Sequence, residues 1–203
     1  MLDPKLTKAA SRRVLAAAAL LAASGASWAQ GDPADGRILA ETCLGCHGIQ
    51  GYMNAYPNYH VPKLGGQKAD YIVAALNAYK AEQRPHATMH SQAATLSDED
   101  MQAIAAYFES TATVAPATAD RLPQQAAACV ACHGETGVAP SPAFPTLAGQ
   151  YADYLARTLR EYKSGERQNA IMAGFAAQLG DEEIEELAAW YAGQDGLVTP
   201  GLD

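Results

Sequence analysis

The stretch Cys43-Leu-Gly-Cys46-His47 returns further along the chain as Cys129-Val-Ala-Cys132-His133. The two pairs use all four cysteines of the 203 residues, and a histidine follows each pair at once. They belong to a longer duplication, which organises the whole chain. A shift of 83 residues lays Pro62-Lys-Leu-Gly-Gly-Gln67 on Pro145-Thr-Leu-Ala-Gly-Gln150, Tyr71 on Tyr154 and Tyr79-Lys80 on Tyr162-Lys163. The same shift lays Arg84 on Arg167, Met89 on Met172 and Leu96-Ser-Asp-Glu99 on Leu179-Gly-Asp-Glu182. The cysteine motifs are offset by 86, so the first copy holds three extra residues between motif and proline. That extra length lies in Gly51-Tyr-Met-Asn-Ala-Tyr-Pro-Asn-Tyr-His60, a segment rich in tyrosine (Tyr52, Tyr56, Tyr59).

Each copy predicts three main helices. The first approaches the motif, over 35–44 in copy one and 120–130 in copy two. The second follows the Gly-Gln pair, where Tyr71, Ala75, Leu76 and Tyr79 share a face at helical spacing. The third opens on a capping pattern, Ser97-Asp-Glu-Asp, before Met101, Ile104, Ala105 and Phe108; its partner runs from Asp181 through Ile184, Leu187 and Tyr191. No segment alternates as a strand would. The expectation is an all-α chain: a domain over 30–110, a polar, proline-broken linker over 111–118, and a second domain over 119–203. Domains of this size are small for a self-sufficient core, and a large cofactor bound in each would supply apolar interior.

Cys-x-x-Cys-His is the attachment pattern of c-type haem: both thiols form thioethers to the haem vinyl groups, and the adjacent histidine becomes an axial iron ligand. A thioredoxin-like redox pair requires a strand–helix context, which is absent. A single zinc site would use both Cys-x-x-Cys pairs and would not need a histidine beside each. A disulfide across a two-residue gap in a helix–turn setting is strained. Two covalent haems are therefore expected, on Cys43 and Cys46 and on Cys129 and Cys132, with His47 and His133 as the axial histidines.

The N-terminus fits export. Lys5, Lys8, Arg12 and Arg13 precede the short apolar run 14–23, and Ser27-Trp28-Ala29 offers small residues for cleavage. This is the layout of a signal peptide over 1–29, and the run is too short to span a bilayer. Residues 30–203 then carry 10 basic and 21 acidic side chains, net −11, with no further apolar stretch of membrane-spanning length. Such a surface repels nucleic acid and anionic lipid and favours a partner with a basic docking patch. The charge is uneven, −4 over 30–116 and −7 over 117–203.

The sixth iron ligand separates electron transfer from catalysis. Met89 and Met172 occupy the same position in both copies, whereas Met101 aligns with Ile184 and reads as core, and Met53 sits in the unmatched insertion. Methionine opposite histidine closes the iron to oxygen and substrate and raises its potential. His86 and His90 flank Met89 and read either as loop histidines facing water or as a replacement for it. His60 reads as packing at the haem rim.

On these motifs the whole exported chain resembles the tandem dihaem class I cytochromes c, and most closely the cytochrome c4 family. The resemblance implies axial pairs His47 with Met89 and His133 with Met172. It implies that the carbonyls of Pro62 and Pro145 orient the axial imidazoles, and that Arg84 and Arg167 neighbour haem propionates. The tyrosine-rich insertion and Glu82-Gln83, where copy two has Gly165-Glu166, depart from the pattern. The implied role is a periplasmic electron shuttle, not an enzyme, running from a quinol-oxidising bc complex to a terminal oxidase. The alternative is the cytochrome subunit of a periplasmic dehydrogenase, with the insertion as its interface patch.

Overall fold

The computed structural model describes residues 32–117 and 121–202. The leader read at 1–29 lies outside them, as do residue 118 of the linker and the expected helix start at Asp120. Among the described residues the secondary structure is helical, apart from two isolated β-bridges, Met53 to His60 and Gly65 to Val198.

In the first copy, Asp32 caps α1 (Pro33–Leu39): its side chain accepts the Ala34 N–H, and Pro33 takes the first helical position. Only Ala40 separates α1 from α2 (Glu41–His47), which carries the motif. One helix over 35–44 was expected. The backbone instead bends at the fully buried Ala40, between Gly36, which lies against Ala103, and Leu44, which enters the core. After the proline loop come α3 (Ala69–Lys80), a short α4 (Ala87–Ala93) and α5 (Asp98–Ser110). The capping box predicted at Ser97 is formed: Ser97 Oγ accepts the Asp100 N–H at 3.1 Å, and Asp100 Oδ2 accepts the Ser97 N–H at 3.0 Å.

The second copy repeats this with one change. A 3-10 turn (Gln124–Ala128) and a single-turn α6 (Val130–His133) replace the helix expected over 120–130. The cause is local. In motif register Leu122-Pro123 stands where Gly36-Arg37 stands in copy one; a proline disfavours α geometry in the residue before it. Leucine also has no room for the crossing that Gly36 makes, where even a Cβ would lie 2.0 Å from the Ala103 carbonyl oxygen. Then follow α7 (Ala152–Ser164), α8 (Ala170–Ala176) and α9 (Asp181–Ala192).

Each copy has its own core. Leu44, Ile72, Leu76, Met101, Ile104 and Phe108 fill the first; Leu155, Ala156, Ile184, Leu187 and Tyr191 fill the second. Met101 and Ile184 take equivalent places, as core residues should. The repeated lysine also has a job: Lys80 Nζ donates to the Leu96 carbonyl at 2.7 Å and Lys163 Nζ to that of Leu179 at 2.6 Å. Each bond ties the last turn of one long helix to the residues leading into the next long helix, across the short one between them.

The tail joins the copies. Leu197 N–H donates to the Ala148 carbonyl at 2.8 Å, and the next residue, Val198, exchanges bonds of 3.0 and 3.1 Å with Gly65. Gly65 and Ala148 are equivalent in the duplication. Copy one needs glycine there because a Cβ would stand 2.9 Å from the Val198 carbonyl oxygen. The glycine after each, Gly66 and Gly149, has φ of +79° and +73°, a conformation other residues rarely adopt.

Gly36→Ala should destabilise the first domain by about 3 kcal/mol, the upper end of ordinary overpacking. Denaturant unfolding of the intact protein, followed separately in each domain, would show the loss on one side only.

Candidate haem sites

Both motif histidines are buried, and both are held through Nδ1. His47 Nδ1–H donates to the Pro62 carbonyl at 2.8 Å, and His133 Nδ1–H to the Pro145 carbonyl at 2.9 Å. Each Nε2 is thereby left as the unprotonated nitrogen of a neutral imidazole, the atom that could bind a metal. Neutrality is secured by burial, which pushes His47 down to about 4 against the opposing pull of the Pro62 carbonyl, and lowers His133 in the same way. All four cysteines are free and half-buried, so neither pair is closed as a disulfide. Burial raises the Cys43 and Cys129 thiols above their ordinary value.

Met89 and Met172 are carried by α4 and α8, two helices the sequence periodicity did not reveal. At seven residues each they are under two turns and show no amphipathic repeat. The usable signal was the cap: Asn169 Oδ1 accepts the Ile171 and Met172 N–H groups, both at 3.1 Å. In copy one His86 does this work, its Nδ1 accepting the Met89 N–H at 3.2 Å. Both methionines are half-buried, and Met89 packs against the first core.

The expectation that His86 and His90 face water is corrected, since both are half-buried. His86 is consumed as a cap, and burial together with Arg157 and Arg84 lowers its pKa, which keeps it neutral. His90 Nδ1–H donates back to the Tyr79 carbonyl at 3.0 Å. His60 lies at the junction of the copies: it pairs with Asp153 Oδ2 at 2.8 Å and stacks on Tyr151 with centroids 4.5 Å apart. Of the insertion's tyrosines, Tyr59 is buried against the second domain beneath Arg157, while Tyr56 is fully exposed.

Between the copies lies a reciprocal arginine–tyrosine cluster. Arg84 Nη2 donates to the Tyr154 hydroxyl at 2.8 Å, and Arg167 Nη2 to the Tyr71 hydroxyl at 3.0 Å. Each guanidinium also stacks on a tyrosine of its own domain, Arg84 on Tyr79 and Arg167 on Tyr162. Burial works against ionising Tyr154, yet the charges of Arg84 and Arg167 outweigh it and hold its hydroxyl below the ordinary value. Both arginines are buried, 7% and 4% exposed, and among the described residues neither has a carboxylate within ion-pair distance. Among the described residues Arg84 Nε also has no hydrogen-bond partner. Two buried cations in this state need an anion. Sequence reasoning singled out the arginines but missed Tyr71, Tyr154, Gln67, Gln150 and Asp153. The first four are equivalent pairs, and that equivalence was the signal.

Two helical repeats, each with a histidine fixed beside a pair of free cysteines, define a two-domain c-type cytochrome with two covalently attached haems. The family model described as cytochrome c matches residues 33–112, and that described as cytochrome C oxidase, cbb3-type, subunit III, matches 117–190. Cytochrome c4 of Stutzerimonas stutzeri is 35% identical over 200 residues, covering 85% of this chain and 94% of that one. A thiosulfate dehydrogenase electron acceptor of Stutzerimonas stutzeri (strain A1501) is 32% identical, covering 75% and 79%. The crystal structure of reduced recombinant cytochrome c4 from Pseudomonas stutzeri superposes with a TM-score of 0.64 at 32% identity, over 81% of this chain and 99% of that one. The chain belongs to the cytochrome c4 family.

Tyr154→Phe leaves a buried guanidinium nitrogen without its hydroxyl partner and should cost about 1–3 kcal/mol. Tyr71→Phe should match it from the other side. Chemical unfolding of both holoprotein variants would reveal the symmetry or its absence.

Proposed function

We propose that the protein is a periplasmic electron carrier, in which His47 with Met89 and His133 with Met172 ligate the two irons. The supporting observation is that each histidine commits Nδ1 to a proline carbonyl and keeps Nε2 for metal, while an equivalent short helix presents a methionine in each repeat. Bound haem would supply one-electron chemistry, and Met89 and Met172 as thioether ligands beside the histidines would favour its reduced state. No substrate is transformed. Arg84 and Arg167 would hold propionate carboxylates, since among the described residues neither guanidinium has a carboxylate within ion-pair distance.

Its partners are redox proteins, a quinol-oxidising bc complex as donor and a terminal oxidase as acceptor. A second reading is favoured by the relative that is an electron acceptor for thiosulfate dehydrogenase: this chain would then take electrons from a periplasmic dehydrogenase. Tyr59 and His60 are already engaged with the second domain, which leaves Tyr52 and Tyr56 as the insertion's contribution to such a contact. Among the described residues no helix is long and apolar enough to cross a membrane.

An absorption spectrum with a redox titration tests the ligands: two haems, a sulfur-to-iron band in the oxidised form, and no ready binding of carbon monoxide. Rapid carbon monoxide binding at both haems would sink the carrier reading. Met172→His should lower the second haem's potential and remove its share of the sulfur-to-iron band. The excess of acidic side chains also has a kinetic consequence. Association with a basic partner should slow by tenfold or more from low to physiological ionic strength, as electrostatic steering is screened. Stopped-flow electron transfer across a salt series measures it.

A further inference from the structure

The Gly-Gln ending of each proline loop is more than a helix lead-in. Gln67 and Gln150 are buried, both 4% exposed, and each side chain reaches the proline loop of the opposite domain. Gln67 Oε1 accepts the Thr146 N–H at 2.8 Å, and its Nε2 donates to the Thr146 carbonyl at 2.9 Å. Gln150 does the same to Lys63, at 2.9 and 3.0 Å. The amide orientation is unambiguous, because each Oε1 also accepts the N–H of the residue after it, Lys68 or Tyr151. A flipped amide would set its NH2 against two donors.

Thr146 follows Pro145, and Lys63 follows Pro62. The N–H that each glutamine engages therefore belongs to the same planar peptide as the proline carbonyl that accepts from the motif histidine. One rigid unit runs from His133 Nδ1–H through the Pro145–Thr146 peptide to Gln67. A second runs from His47 through Pro62–Lys63 to Gln150. An amide whose N–H is donated is a better acceptor at its oxygen, since chained hydrogen bonds polarise one another. A stronger acceptor at Nδ1–H makes the imidazole more electron-rich at Nε2, which favours the oxidised iron.

We propose that Gln67 and Gln150 are crossed positioning residues: each sets the orientation and electron-richness of the axial histidine in the opposite domain. The inference rests on the reading of His47 and His133 as iron ligands. Through these two peptides the docked state of the domains is written into both potentials at once.

The test uses the full-length holoprotein with Gln150→Leu, Gln67→Leu and the acceptor-retaining Gln150→Glu. Potentials are resolved by domain through paramagnetic NMR of the haem methyls during redox titration. Gln150→Leu should raise the potential of the first domain's haem and shift the His47 ring signals, with a smaller change in the second. Gln67→Leu should do the converse, and Gln150→Glu should restore most of the effect. Shifts confined to each glutamine's own domain, equal shifts at both haems, or none would overturn the proposal. A wild-type spectrum without histidine–methionine ligation would instead overturn the underlying reading, before any variant is made.

Discussion

Each half of this molecule is built around one hydrogen bond, from a buried imidazole to a proline carbonyl in the loop that follows. The span differs between the halves, 15 residues from His47 to Pro62 and 12 from His133 to Pro145, yet the bond is 2.8 Å in one and 2.9 Å in the other. The three additional residues must therefore leave the site without disturbing it. They are absorbed in a small hairpin, in which Tyr52 and Asn54 pair with Val61 and Tyr59. What it projects, Tyr59 and His60, is spent on the other domain.

The contact between the halves is largely polar and specific. Paired glutamines, paired arginine–tyrosine bonds and the His60–Asp153 pair each demand a defined partner at a defined distance. Buried polar groups of this kind gain little stability over apolar packing, but they penalise every misaligned docking, because an unpaired amide or guanidinium is costly. The arrangement thus selects one relative orientation. Most of these bonds come in equivalent pairs, as expected where a duplicated surface meets itself. Among those just named, the exception is the His60–Asp153 pair, which the insertion makes.

Much of this was legible in the residues. The Cys-x-x-Cys-His motifs and the 83-residue repeat led to the two-domain helical architecture and to the haems, and Ser97 announced the start of α5. The short helices α4 and α8 were not visible, because seven residues make too little periodicity to read. The division of the first helix at Ala40 depends on how closely Gly36 approaches Ala103, a tertiary fact. The failure of the same helix in copy two was visible in Leu122-Pro123. Gln67 and Gln150 stood in plain view within the repeat, but nothing local says that a side chain reaches across to the other copy. Equivalence identifies a residue as important without telling which domain it serves.

The strap formed by residues 197–202 bears on how the two halves can separate. Val198 pairs with Gly65, and the Leu202 carbonyl accepts from Arg37 at 3.1 Å, so part of the first domain's surface is finished by residues that follow the second. Leu197, one residue earlier, is bonded to Ala148 of the other repeat. With neighbouring residues committed to opposite repeats, the strap has no slack, and the halves cannot part while both bonds hold. Opening of the junction and release of the strap are therefore a single event.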